Sequence, residues 1–186
     1  MQPSIHTARL LLRPFHMTDA LRVQRLAGDA KIADTTTTIP HPYPDGAAEV
    51  WIASHPDRFA QGTEVTFAME LRRSKELVGC ISLVDICSKH QRAELGYWVG
   101  AEHWCKGYCS EAADALVKFG HEELGCTRIV ARCFARNGAS ATVLERSGLV
   151  HEGLLPRHIL KNGRFEDILL FGLNLPSRLL AKDSAA

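Results

Sequence analysis

The features missing from this 186-residue chain already exclude several chemistries. No apolar run approaches the length that crosses a bilayer. Leu10-Leu11-Leu12 is too short for the core of a secretion signal, and no positive segment precedes it, so a cytoplasmic protein with no membrane partner is expected. Charge of one sign is also missing. The 22 Lys plus Arg stand against 21 Asp plus Glu, which excludes broad capture of nucleic acid and leaves room only for a local basic patch. Neither nucleotide-loop signature occurs: there is no G-x-x-x-x-G-K-[ST], and no G-x-G-x-x-G follows a strand. Repeats and interior linkers are absent too. One domain over residues 1–186 is expected, with a core at about 7–175 and a loosely attached tail at 176–186.

Six cysteines, at 80, 87, 105, 109, 126 and 133, suggest no disulfide framework. With no secretion signal and enough chain to bury a core, reduced thiols are the expectation. Cys105, Cys109 and His103 make a partial zinc set, but a structural site needs four ligands and no second close pair exists. No metal is expected.

Strands and helices alternate along the chain. Thr7–Arg13 reads as a strand stopped by Pro14, and Thr18-Asp19 can cap a helix running to about Gly28. Pro40, Pro42 and Pro44 exclude a helix or central strand over 34–46, and a helix should follow from about Asp45 to Gln61. Three strands come next, at 64–71, 77–86 and 93–99, followed by a helix from Ser110 to about Leu124 that stops at Gly125. Thr127–Phe134 reads as a strand and Asn137–Ser147 as a helix. Lys161-Asn162-Gly163 joins the last two runs, 149–160 and 164–173, as a hairpin.

The most informative stretch is Tyr97-Trp98-Val99-Gly100, followed by Trp104-Cys105-Lys106-Gly107-Tyr108-Cys109-Ser110-Glu111-Ala112. A strand ends, a loop with a central glycine follows, and a helix begins. Such an order presents backbone N–H groups at a helix N-terminus, where a diphosphate can bind. Alone, the same pattern equally describes a tight connection in which Gly107 supplies an unusual backbone angle.

The wider pattern resembles the GNAT acetyltransferases, and within them the Rim-type branch of ribosomal-protein N-terminal acetyltransferases. The likeness rests on Ala93-Glu94-Leu95-Gly96-Tyr97-Trp98-Val99, on Trp104-x-x-Gly107-Tyr108-x-x-Glu111-Ala112, and on Asn137-x-x-Ser140-x-x-Val143-Leu144-Glu145-x-x-Gly148-Leu149. It closes on Leu160-Lys-Asn-Gly163-Arg-Phe-x-Asp167, so it runs from about Arg9 to Leu173. It implies an α/β fold with a mixed, mostly antiparallel sheet of about seven strands and flanking helices. Strands holding Trp98 and Arg132 should splay apart into an acyl-CoA cleft. Acetyl-CoA would be the acyl-donor co-substrate. Backbone groups of Trp98 and Val99 would pair with its pantetheine arm, and Trp104 would open the phosphate loop. Amides of Cys105, Lys106, Gly107, Tyr108, Cys109 and Ser110 would hold the diphosphate, and Asn137 would contact the cofactor from the far side. A homodimer is also implied.

The chain departs from the superfamily pattern at three places. Trp104 stands first in the loop, as in the Rim-type branch, and Cys109 takes a position usually glycine or alanine. Leu144 replaces the tyrosine that many relatives offer as an acid to the leaving thiolate, so Ser140, matching the Rim-type serine, becomes the candidate. Ser140 can equally be a first-turn residue bonded to backbone or cofactor. Glu94 is the candidate base, because a carboxylate among apolar residues on the cofactor strand can have a raised pKa. The alternative is an edge carboxylate paired with Arg92 or Arg132. His41 and His55 are further base candidates or surface residues, Trp51 reads as core rather than substrate cage, and 34–46 is a candidate substrate loop. The expected function is transfer of acetyl from acetyl-CoA to a primary amine, either a protein N-terminal α-amine or a small amine. Direct attack in a ternary complex is expected. A non-catalytic acyl-CoA-binding module is the alternative.

Overall fold

The computed structural model describes residues 1–176, so the expected tail falls, but for Pro176, outside the described residues. The secondary structure comprises β1 (Ile5–His6), β2 (Leu10–Arg13), α1 (Ala20–Ala27), α2 (Ala30–Thr35), α3 (Ala47–Ala60), β3 (Val65–Leu71), β4 (Leu77–Cys87), β5 (Arg92–Val99), α4 (Tyr108–Glu122), β6 (Arg128–Phe134), α5 (Gly138–Arg146), β7 (Val150–Lys161) and β8 (Arg164–Asn174). The eight strands form one sheet in the order β1-β2-β3-β4-β5-β6-β8-β7. Every neighbouring pair is antiparallel except β5 and β6, which α4 connects.

The strand count exceeds the expected seven or so because Ile5–His6, ahead of the expected first run, folds back on β2. Thr7 accepts from the Leu10 N–H at 3.0 Å and returns its own N–H to the Leu10 carbonyl at 2.9 Å. That side chain-closed turn takes Thr7–Arg9 out of the expected strand, leaving Leu10–Arg13 as the core strand and Ile5–His6 as the arm paired with it. A second difference is α2, which begins where Asp29 accepts from the Lys31 N–H at 2.9 Å and takes in Asp34 and Thr35 from the expected loop. From Thr36 the three alternate prolines keep the segment out of helix and strand.

Helices cover both faces of the central strands, which is why β3 is buried over Val65–Glu70 rather than alternating. Phe67 and Met69 join the cluster containing Leu116 and Phe119 of α4, whereas Ala68 between them joins Val23 of α1 and Ile52 of α3. Each large side chain so buried contributes about 1.5–3 kcal/mol by leaving water. This packing fixes β4 and β5, and with them one wall of the site.

Candidate active site

Strands β5 and β6 pair only over Arg92–Leu95 and Arg128–Ala131. Beyond Leu95 each strand keeps its other partner, β5 holding β4 out to Val99 and β6 holding β8 out to Phe134. The two therefore diverge, and the edge of β5 over 96–98 opens onto a cavity of about 710 Å³. That volume is in the range of ligand sites. Leu95–Trp98, Cys133, Ser140 and Leu144 line the cavity at the split. Arg58, Glu64, Asp85, Glu94 and Arg132 also line it, together with the 35–40 segment and Trp51. Trp51, expected in the core, thus does two jobs: it stacks edge-on against Phe15 at 5.0 Å and walls the cavity.

At the end of β5 the chain turns through Ala101–His103 into the glycine loop. Trp104 Nε1 donates to the Val99 carbonyl at 2.7 Å, bolting the loop to the strand. Cys105 and Gly107 both adopt left-handed backbone angles, φ 59° and 75°, and α4 starts at the next residue. For glycine that angle is free; for Cys105 it costs about 1–2 kcal/mol. Among the described residues, no amide from Cys105 to Ser110 meets an intramolecular acceptor. The first satisfied one is the Glu111 N–H, on the Gly107 carbonyl at 3.2 Å. Convergent free amides at the positive end of a fifteen-residue helix suit a diphosphate. Burial pushes the Cys109 thiol up to about 12, so this cysteine is a neutral small residue in the first turn.

The candidate base is not surrounded by apolar groups as expected. Arg132 donates to both Glu94 oxygens, at 2.9 and 2.7 Å, across the diverging strands. Such a fork fixes the carboxylate rather than leaving it to desolvation. Ser140 faces the split from the first turn of α5, where its N–H is capped by Asn137 Oδ1 at 3.1 Å. Asn137 Nδ2 reaches the Thr35 carbonyl at 3.4 Å, so this residue joins the helix of Ser140 to the loop opposite. Tyr97, absent from the sequence-derived candidates, lies 2.8 Å from Ser140 Oγ and shares the cavity wall with it. Burial raises its phenol pKa, so it stays protonated.

Two further anchors escaped the sequence reading. Arg136 holds Asp34 at 2.9 Å and Glu166 at 3.0 Å, and Lys161, itself buried, donates to the Ile39 carbonyl at 2.6 Å. Together they tie the 34–40 segment to the β7–β8 hairpin. Neither histidine candidate lines the cavity. His41 Nδ1 sits 3.1 Å from the Gly28 carbonyl, and His55 lies between Phe15 and Trp51 with neither ring nitrogen bonded. Burial lowers the His55 pKa to about 4, which leaves it a weak base.

His103 does not meet the cysteines of the partial zinc set. It groups instead with Glu76 and Glu102. The Arg22 guanidinium stands among them, 2.6 Å from Glu76, 2.8 Å from Glu102 and 3.2 Å from His103 Nε2, where its charge takes a cation's place. Also among the described residues, no helix is long and apolar enough to cross a membrane.

The architecture is a parallel pair that splays beside a glycine loop at a helix start, with Glu94 and Ser140 lining one cavity. The family model described as "Acetyltransferase (GNAT) domain" matches residues 9–150. This chain belongs to that family. The N-acetyltransferase YoaA of Bacillus subtilis (strain 168), itself uncharacterized, is 36% identical over 112 residues, 60% of this chain and 63% of that one. The ribosomal-protein-serine acetyltransferase of Escherichia coli (strain K12) is 30% identical over 106 residues, 57% of this chain and 59% of that one. The chain thus spans about six-tenths of the length of these two relatives. The solved structure of RimL, a ribosomal L7/L12 α-N-protein acetyltransferase in complex with coenzyme A, shares the fold with a TM-score of 0.86 at 18% identity. It covers 93% of this chain and 98% of that one.

Proposed function

We propose that the chain moves acetyl from acetyl-CoA to a primary amine entering beside the 34–46 segment, by direct attack in a ternary complex. The observation that carries this reading is the single cavity shared by the split strands and the carboxylates beyond them. A donor from one end and an amine from the other would meet at Gly96–Trp98. The amide loop from Cys105 to Ser110, the β5 edge at Trp98 and Val99, and Asn137 would hold the donor.

In that geometry Glu94 accepts a proton from the substrate aminium, directly or through water, and frees the nitrogen lone pair. The β5 edge near Trp98 offers an N–H to the carbonyl oxygen as negative charge develops there. The nitrogen–carbon bond forms, the carbon–sulfur bond breaks, the nitrogen's second proton passes through solvent to the departing sulfur, and Ser140 donates a hydrogen bond to that sulfur as it leaves. A thiolate of ordinary pKa is already a fair leaving group, so a hydroxyl in place of the tyrosine suffices.

The acceptor end carries Glu64, Asp85 and Glu94 against Arg58 and Arg132, which pair with Glu64 and Glu94, and the carboxylate left over, Asp85, suits a cationic amine. A protein N-terminus, as the name of the ribosomal-protein-serine relative suggests, and a small amine are both kept. The homodimer rests on the family likeness alone. Six unpaired thiols accord with a reducing, cytoplasmic setting. The test is to incubate enzyme and acetyl-CoA with a panel of peptide N-termini and small amines, following free CoA thiol and acetylated product together. Stoichiometric release of both supports the reading. CoA binding with no product across the panel favours the binding module.

A further inference from the structure

We propose that Arg9 is a positioning residue of the donor site, a brace that turns the Lys106–Gly107 peptide so that the Gly107 N–H faces the diphosphate; this rests on the acetyl-CoA reading above. Arg9 lies in the β1–β2 turn, far from the loop in sequence. Its Nη1 donates to the Lys106 carbonyl at 2.8 Å, its Nε donates to Glu111 Oε2 at 2.6 Å, and its guanidinium sits 4.9 Å over the Tyr108 ring. The Arg9 backbone N–H completes the clasp on Glu111 Oε1 at 2.7 Å, joined there by the Thr7 hydroxyl at 2.5 Å. One side chain thus grips the loop on both sides of Gly107.

The consequence follows from peptide geometry. The Lys106–Gly107 bond is trans, so its C=O and N–H point in opposite directions. A carbonyl held by Arg9 on one side therefore presents the Gly107 N–H on the other. Without the brace, the left-handed angles at Cys105 and Gly107 leave this peptide free to turn and offer its carbonyl, which repels a phosphate. The brace is itself held in place. Arg72 donates to the Thr7 carbonyl at 2.8 Å, and the Arg72 N–H donates to the Arg9 carbonyl at 2.9 Å. Burial works to raise the Glu111 pKa, but the donors from Thr7 and Arg9 outweigh it, so Glu111 stays ionised and balances the Arg9 charge. Arg9 acts by orientation and not as a free cation.

The experiment compares wild type, Arg9→Met and Arg9→Lys, each with an unchanged melting profile. CoA affinity is read by calorimetry, and amide hydrogen exchange over 105–110 and over 96–99 is read with and without CoA. Both variants should bind CoA about 10-fold or more weakly, because lysine keeps the charge but cannot span the carbonyl and the carboxylate together. At saturating CoA they should lose the protection of 105–110 and keep that of 96–99. Wild-type affinity in Arg9→Met overturns the brace, and so does full rescue by Arg9→Lys or an equal loss of protection at both segments. A wild-type protein that fails to bind CoA overturns the donor site itself, a result distinct from all of these.

Discussion

The Tyr97 hydroxyl stands 2.8 Å from Ser140 Oγ and 3.1 Å from the Ser140 carbonyl, both at the split of the sheet. Tyr97 has one proton to give and burial keeps it on the phenol, so the pair behaves as one unit. The Ser140 carbonyl can only accept, so a phenol proton given to it leaves the Tyr97 oxygen to accept from Ser140 Oγ, and the phenol holds the serine hydroxyl at the split.

Tyr97→Phe should therefore lower kcat by about 10-fold with the KM for acetyl-CoA unchanged, and Ser140→Ala should lower it at least as far. The double variant should be no worse than Ser140→Ala alone. Steady-state kinetics on all three check this, and fully additive losses would mean that the two residues act independently.

Glu94 and Arg132 form a fork across the diverging strands, so the carboxylate is already aimed when the amine arrives. Glu94→Gln should cut turnover by ~10²-fold or more while leaving CoA affinity near wild type. A wild-type pH–rate profile in that variant would remove Glu94 from the role of base.

His55 makes stability depend on pH. Its folded pKa of about 4 lies below the ordinary value of 6.5, so the unfolded chain binds the extra proton between these values. Stability is full above pH 6.5 and falls as the pH drops towards 4. From pH 7 to pH 5 this group alone should cost about 2 kcal/mol. His55→Phe, packed against Phe15 and Trp51, should remove that part of the loss. Urea unfolding of both proteins at the two pH values measures it, and parallel losses would show that His55 is not responsible.

The alternation of elements and the start of α5 were legible in the sequence because each depends on local chemistry: glycine at a left-handed position, the Asn137 cap, proline in a loop. What escaped depends on distant partners. Nothing local marks Arg9 as the clasp on Glu111, or Arg136 and Lys161 as anchors of the 34–40 segment. Which arginine would meet Glu94 was open in the sequence, because the parallel register that brings Arg132 to it is set by pairing between distant strands. Tyr97 lay in the quoted strand, but its partner is 43 residues away, on α5.

The most direct test is calorimetric titration of acetyl-CoA into the wild type and into Gly107→Val. At φ 75° a β-branched side chain is strained, and its Cβ would stand 3.3 Å from Arg9 Nη2, so the loop must re-form and the amide cradle is lost. The wild type should bind at a micromolar level, about −8 kcal/mol, and the variant should show no measurable heat. Equal binding by both proteins, or binding by neither, would contradict the assignment of this loop as the donor site.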